Sequence, residues 1–335
     1  MTSIKKRWRQ TPISASVIIP TFKRTAFLRD ALISALNQEI EKTRYEVLIV
    51  DNASTACPEL VSLCESCQSA HLPLIRYIHE PQNGLHHARH AGAIAAQGEV
   101  LVYIDDDVLC PPSWLGAMLR PYSDQGIAMV AGRVALRYEV PAPIWIRPFE
   151  YLLSAFDRGD TNRALPPYET PVGCNMSLRK SVFFEVGGFN PDGFGDQRLL
   201  HFRGDGECGL ARKVHDAGLT VWYSADAWLE HRVPRERITR RYMERRSQLA
   251  GIEIAYCDLR YSAVSLARLA IRGGVSFSKV LFHFAAACLR TDRGGGDSLR
   301  HSACAQLHLY RGIQQWRQLI SAELREHTRL KTYLS

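Results

Sequence analysis

Several things are scarce in this sequence. No apolar run in its 335 residues approaches the length of a bilayer-crossing helix. The longest in the C-terminal third, Val280 to Leu289, is interrupted by His283. That excludes a span and leaves two uses, an amphipathic helix lying in a membrane interface or a helix packed on the core. The N-terminal stretch Met1 to Ser14 carries Lys5, Lys6, Arg7 and Arg9 with no apolar core behind them, so no secretory leader is read there. The expectation is a cytoplasmic protein, peripheral at most at the inner face of a membrane. Cysteine offers no disulfide framework: there are nine, an odd number, and free thiols are expected. Cys64-Glu65-Ser66-Cys67 has the spacing of a zinc or redox pair but lacks a second pair at zinc-finger distance. Internal repeats and low-complexity tracts are absent. No aromatic pattern or nucleic-acid motif accompanies the arginines, which argues against a nucleic-acid partner.

What the sequence does hold is positive charge, unevenly placed. The formal net charge is +8, yet residues 232–335 carry 19 Lys/Arg against 8 Asp/Glu. The rest of the chain is therefore slightly acidic. A basic third of this kind suits an anionic membrane surface, an acidic acceptor, or simply solvated helix faces.

The first half alternates short apolar runs with helical stripes. Ser16-Val17-Ile18-Ile19-Pro20, Glu46 to Val50, Leu74 to Ile78, Val100 to Ile104 and Ile127 to Ala131 read as strands. Thr25–Asn37, residues 58–70 and Gly84–Ala96 read as helices between them. Such alternation implies parallel strands with helices on both faces, with ligands beyond the carboxyl ends of the strands. Three polar strand ends would then share one edge: Pro20-Thr21-Phe22-Lys23-Arg24, Asp51-Asn52-Ala53-Ser54 and Asp105-Asp106-Asp107. Residues 138–171, rich in proline and aromatics, read as a long irregular loop. Strands are expected at Gly173–Arg179, Leu219–Tyr223 and Trp228–His231. A helix follows Asp205-Gly206-Glu207, and helices fill the tail from about Thr239, broken at Gly273-Gly274 and Gly294-Gly295-Gly296.

The acidic triplet is the densest chemical signal. Three carboxylates at the mouth of a buried strand repel one another, and a hard divalent cation removes that repulsion. On an extended backbone Asp105 and Asp107 face one side and Asp106 the other. The competing reading is a helix N-cap with surplus acids ahead of Pro111-Pro112.

These segments, in this order, resemble a family 2 glycosyltransferase of the GT-A fold, over roughly residues 14–231. The resemblance rests on Ser16 to Phe22, Asp51 to Ser54, Asn83 to Arg89, Tyr103 to Asp107, Gly173 to Arg179 with Val186-Gly187-Gly188-Phe189, and Asp205-Gly206-Glu207. It implies a mixed, mostly parallel α/β sheet flanked by helices. A nucleotide-binding half (14–137) and an acceptor half (138–232) would form the GT-A domain, followed by a basic helical extension (239–335).

By the same resemblance, Pro20, Thr21, Arg24, Asp51, Asn83, Arg89, Asp105 and Asp106 are nucleotide-binding candidates, with Asp51 recognising the base. Asp107 and Asp105 would bind Mg²⁺ or Mn²⁺, with His231 as a further ligand. The catalytic base is left open between Glu207 and Asp205, because Gly206 stands where relatives carry the first of two acids. Asn175, and Trp145 within the aromatic loop, are candidates for the sugar and acceptor. The implied reaction is inverting transfer from a UDP-, GDP- or dTDP-sugar to a hydroxyl on a carbohydrate or lipid-linked acceptor. The Gln-x-x-Arg-Trp signature of processive synthases is missing; Gln314-Gln315-Trp316-Arg317 is a different sequence, far downstream. Two rival readings stand beside this one. A sugar nucleotidyltransferase would want a glycine-rich basic signature at the first strand. A non-catalytic scaffold of the same fold, docked to a membrane assembly, draws its support from Gly206.

Overall fold

The architecture comes from a computed structural model that describes residues 14–53, 55–69, 71–191, 204–261, 265–289 and 296–330. Ser54, Gly294, Gly295 and the basic N-terminal residues lie outside the described residues.

The short β-branched runs form the middle of one sheet because they can be buried on both faces. Strands β1 (Ala15–Thr21), β2 (Tyr45–Asp51), β3 (Leu74–His79) and β4 (Val100–Ile104) are mutually parallel, in the order β3-β2-β1-β4. Helices α1 (Thr25–Leu36), α2 (Pro58–Cys67) and α3 (Leu85–Ala95) make the crossovers. The α1 stripe Leu28, Ala31, Leu32, Ala35 and Leu36 is buried as its spacing requires. The small residues of α3 allow a close approach to the sheet: a Cβ at Gly92 would lie 2.5 Å from Ile18 Cγ2.

Beyond β4 the sheet changes direction. After β5 (Val108–Leu109), α4 (Trp114–Leu119), β6 (Ile127–Tyr138) and β7 (Arg163–Ala164), strand β8 (Asn175–Arg179) inserts antiparallel between β4 and β6. Helices α5 (Lys180–Glu185) and α6 (Gly206–Asp216) follow, then β9 (Thr220–Val233), parallel to β6 and antiparallel to β5 and β7. The tail contributes α7 (Arg240–Arg260), α8 (Leu266–Leu289), α9 (Gly296–Ile320) and α10 (Ala322–Arg329).

Three expectations are corrected. Residues 138–171 are not an irregular loop, because Ile144–Leu153 forms a 3₁₀ segment. Ile146, Phe149 and Leu152 recur every three residues, the period of that helix. They bury with Val233, Met243, Leu299 and Ala303 in a second apolar cluster. The two short strands expected at 219–231 are one 14-residue strand, β9, whose pairing with β6 shifts register between Gly132 and Val134. Helix α8 runs unbroken through Gly273-Gly274. Gly273 is a close-approach residue: a Cβ there would lie 2.7 Å from Trp316 Nε1 of α9.

Candidate active site

The parallel register aligns the ends of β1 and β2, with Thr21 opposite Asp51 and Asn52 N donating to Thr21 O at 2.9 Å. β4 ends at Ile104, so Asp105, Asp106 and Asp107 emerge on the same edge. These ends wall a cavity of about 630 Å³, a size suited to a small ligand. Pro20, Thr21, Arg24, Asn52, Asn83, Asp105, Asp106, Asp107 and His231 line it.

The chain leaves the strand conformation at Asp105, so strand alternation does not govern the triplet. Asp106 therefore lines the cavity with its neighbours, which corrects the expectation that it faces away. Thr21 Oγ1 donates to Asp106 Oδ2 at 2.7 Å, and Arg24 Nη1 to Asp106 Oδ1 at 2.8 Å. The other arm of Arg24 reaches Asp107 Oδ2 at 2.9 Å, which Arg237 Nη2 also meets at 3.0 Å.

Buried ionised carboxylates cost several kcal/mol each unless paired, and the floor is only partly compensated. Burial pushes Asp106 up to about 7 against the pull of Arg24. Asp105 is raised too, burial outweighing Arg89. Burial also opposes charge on Asp107, but His231, Arg237 and Arg24 together hold that carboxyl well below its ordinary range.

His231 reaches the floor because β9 pairs with β5, bringing His231 opposite Val108. Its Nδ1 lies 2.8 Å from Leu153 O, so Nδ1 carries a proton and donates. Nε2 then faces Asp107 Oδ1 at 3.2 Å and lies 3.3 Å from Arg237 Nη1. Asp107 Oδ1 is buried with no hydrogen-bond partner. An imidazole nitrogen beside a carboxylate oxygen without a hydrogen-bond partner is a ligand pair that a divalent cation can take up. Among the described residues no three His, Cys, Asp or Glu side chains form a complete metal cage. Asp107 and His231 would thus be a partial ligand set, the remainder coming from phosphate and water, as is usual for Mg²⁺.

Glu207 stands in the first turn of α6, after Gly206 at φ +50°. Gly173 N donates to Glu207 Oε1 at 3.0 Å. Arg89, on α3, is buried between the floor and this acid, with Nη2 3.5 Å from Asp105 Oδ1 and Nη1 3.7 Å from Glu207 Oε2. Arg89 Nη2 also donates to Gly173 O at 3.0 Å, and any Cβ at Gly173 would strike this guanidinium. The Phe189 ring flanks it, 5.5 Å from Cζ. Arg89 is thus placed beneath the cavity rather than on its wall, as a strut between Asp105 and Glu207.

The other expected residues divide sharply. Asp51 Oδ2 accepts from Cys57 N at 2.8 Å and Tyr77 Oη at 2.7 Å, while its Oδ1 is buried without a partner. Asp205 is buried elsewhere, accepting from Asn190 Nδ2 and from the Tyr261 hydroxyl at the end of α7. Of the two candidate bases, only Glu207 is joined to the acidic floor.

Asn175 does not offer its amide to a ligand, contrary to expectation. Its Oδ1 accepts from Trp114 Nε1 at 2.9 Å, and its Nδ2 donates to Arg133 O and Ala227 O, each at 2.8 Å. Trp145 likewise does not line the cavity; it packs against the second apolar cluster.

Leu152, Leu153, Ser154 and Arg237, which the sequence reading passed over, also line the wall, as do Tyr242 and Arg246 of the basic helical extension. Two non-glycine residues with positive φ, Lys23 at 53° and Ser154 at 70°, lie at or beside this rim. Strained backbone of this kind gathers at ligand sites. The available signals were the three-residue apolar period before Ser154 and the arginines within one turn of His231.

Residues 16–187 match the family model described as Glycosyl transferase family 2. The Succinoglycan biosynthesis protein ExoM of Rhizobium meliloti is 26% identical over 216 residues, 63% of this chain and 64% of that protein. Glycosyltransferase AglE of Haloferax volcanii is 24% identical over 211 residues, again 63% of this chain and 64% of that protein. The Glucosyl-dolichyl phosphate glucuronosyltransferase of the same organism is 25% identical over 193 residues, 57% and 61% of the two chains. The matched region thus spans just under two-thirds of each relative. Among solved structures, GalNAc-T7 with UDP, GalNAc and Mn²⁺ aligns with a TM-score of 0.51 at 18% identity, covering 72% of this chain and 48% of that one. That is a likeness of fold.

Proposed function

The chain belongs to glycosyl transferase family 2, and from that premise we propose an inverting glycosyltransferase that moves a sugar from a nucleoside diphosphate to an acceptor hydroxyl in polysaccharide or glycoconjugate synthesis. The observation that carries the reading is the meeting of the β1, β2 and β4 ends with His231 around one cavity.

Asp51 Oδ1, an acceptor without a partner, suits a ring N–H of the nucleotide base, which uracil, thymine and guanine all carry, so all three donor types enter the test below. Asp107 and His231, with Asp105 beside them, would hold Mg²⁺ or Mn²⁺, whose charge would stabilise the departing diphosphate. Arg24 and Arg237 hold Asp107 in place and bring positive charge to the phosphate side. Glu207 accepts the proton of the acceptor hydroxyl as that oxygen attacks the anomeric carbon, and the bond to the diphosphate breaks in the same displacement. A carboxylate at a helix N-terminus is stabilised as an anion, so Glu207 depends on its fixed position for effect. Gly173 N–H and Arg89 supply that position.

The acceptor would be a carbohydrate or lipid-linked hydroxyl, and the basic C-terminal helices suit an anionic membrane surface. The test is release of nucleoside diphosphate from UDP-, dTDP- and GDP-sugars, with and without Mn²⁺. Metal-dependent release from at least one donor is expected, and none from any donor by the folded chain overturns the reading.

A further inference from the structure

Helix α8 is built inside out. Its buried side holds Leu269 and is otherwise largely small and polar. Gly273 and Ser276 are buried there, Ser276 Oγ donates to Gln315 Oε1 at 2.9 Å, and His283 Nδ1 meets His301 Nδ1 at 3.0 Å. The large apolar side chains point the other way. Ile271 is 66% exposed, Leu281 72%, and Phe282 and Phe284 65% each. Val275 and Leu266 are exposed as well, and the half-exposed Trp316 of α9 packs over Gly273 at the seam between the two helices. An ordinary surface helix shows the reverse pattern. Patches of this kind on a folded chain mark a binding surface.

We propose that the outward face of α8 seats the protein on an anionic phospholipid bilayer, with the helix lying in the interface plane. The charge pattern selects this occupant. Arg268 and Lys279 accompany the apolar residues, Arg272 turns inward to Asp258 of α7, and α8 contains no Asp or Glu. Two copies of such a face would set like charges against each other, whereas acidic headgroups would neutralise them while the phenylalanines enter the acyl boundary. A span is excluded, since no helix among the described residues is long and apolar enough to cross a membrane. An indole at the rim is also at home at headgroup level. The inference deepens the membrane-surface reading given above and rests on it for the identity of the surface, while its test is independent of sugar transfer.

The experiment is co-sedimentation of the full chain with vesicles of phosphatidylcholine alone or mixed with phosphatidylglycerol. Binding is expected to the anionic vesicles and to be weak or absent on the neutral ones. The pair Leu281→Ser/Phe282→Ser should weaken it at least about tenfold. The double variant Arg268→Gln/Lys279→Gln should weaken it by about fivefold per cation. Circular dichroism melts and UDP–Mn²⁺ affinity, measured on each variant, establish that the fold and the distant cavity are intact. Three outcomes overturn the proposal: a folded wild-type chain that stays in the supernatant, serine variants that bind as well as wild type, or a wild-type dimer that the serine pair abolishes without any vesicle binding. Vesicle binding by a chain with no affinity for any nucleotide sugar would sustain the membrane face and defeat the transferase reading instead.

Discussion

Asp205 and Glu207 are separated by one glycine and live in opposite surroundings. Asp205 is sealed, with Asn190 Nδ2 within 3.1 Å of both its oxygens and the Tyr261 hydroxyl on Oδ2. Arg260 Nη2 braces Asn190 Oδ1 at 2.6 Å and donates through Nη1 to Thr328 O at 2.6 Å. The first acid therefore ties α6 to α7 and α10. Glu207 has one short hydrogen bond, a long contact to Arg89, and a side chain still 28% exposed. On the cavity floor Asp107 Oδ1 likewise lacks a hydrogen-bond partner. Asp205, fully bonded, holds the fold, while Glu207 keeps spare bonding capacity and is linked through Arg89 to the cavity-lining Asp105, and that contrast separates the two acids better than acidity does.

The sharpest way to break the contrast is Glu207→Gln. Removing a general base costs about 10²–10⁴-fold, so transfer should fall by about three orders of magnitude. Calorimetric affinity for UDP with Mn²⁺ should stay near wild type. Retained transfer would return the role to Asp205. Asp107→Asn comes next. It removes the anionic member of the Asp107–His231 ligand pair, and the expected loss is on the order of 10²-fold in kcat/KM. The distinguishing readout is Mn²⁺ affinity, which should weaken in parallel, and an unchanged affinity would remove Asp107 from the ligand set.

How much of this was legible beforehand depends on the range of the contacts. The strand ends Thr21, Asp51 and Asp105 are set by local pattern and by the rule that parallel strands deliver their carboxyl ends to one edge, and both signals lie in the sequence. The same pattern misjudged Asp106, since alternation holds only while the strand continues and β4 stops two residues earlier, at Ile104. Asn175 was legible as a polar residue near the site but not as a structural one. Its three partners, Trp114, Arg133 and Ala227, lie 42 to 61 residues away. Arg237 and Tyr242 were grouped with the basic tail because nothing local distinguishes an arginine that returns to the cavity from one that stays in solvent. Gly273 looked like a helix break because the indole it accommodates belongs to the next helix.

Arg237 sharpens the same comparison at smaller amplitude. It contacts Asp107 and His231 together, so Arg237→Ala loosens both without removing either. A partly exposed guanidinium in a charged network contributes one charge-assisted bond, about 1.5 kcal/mol, and the expected effect is roughly a tenfold rise in donor KM. Arg237→Lys should recover part of it, as a point charge without the two-armed geometry. A fall in kcat at constant KM would instead place Arg237 with the reacting atoms.

The smallest effect on catalysis belongs to the sealed acid. Asp205→Asn keeps the shape of the side chain, and transfer measured well below the melting temperature should remain within a few-fold of wild type. Tyr261→Phe deletes the hydroxyl donor and should cost about 1–2 kcal/mol of stability at neutral pH. The pH dependence gives its sign. Burial raises the folded-state pKa of Asp205, with the Tyr261 and Asn190 hydrogen bonds pulling it down. A carboxyl with a raised folded pKa contributes stability that is present below its unfolded value and is lost as pH rises through the folded one. Removing Tyr261 raises that pKa further, so the Tyr261→Phe penalty should be slight in acid and grow toward neutrality. Asp205→Asn, with nothing to ionise, should flatten the wild-type decline over the same interval. Thermal melts of the three chains across that pH series check both statements. If Tyr261→Phe loses more than about a hundredfold in transfer while its melt is unchanged, Asp205 belongs with the chemistry and the division between the two acids fails.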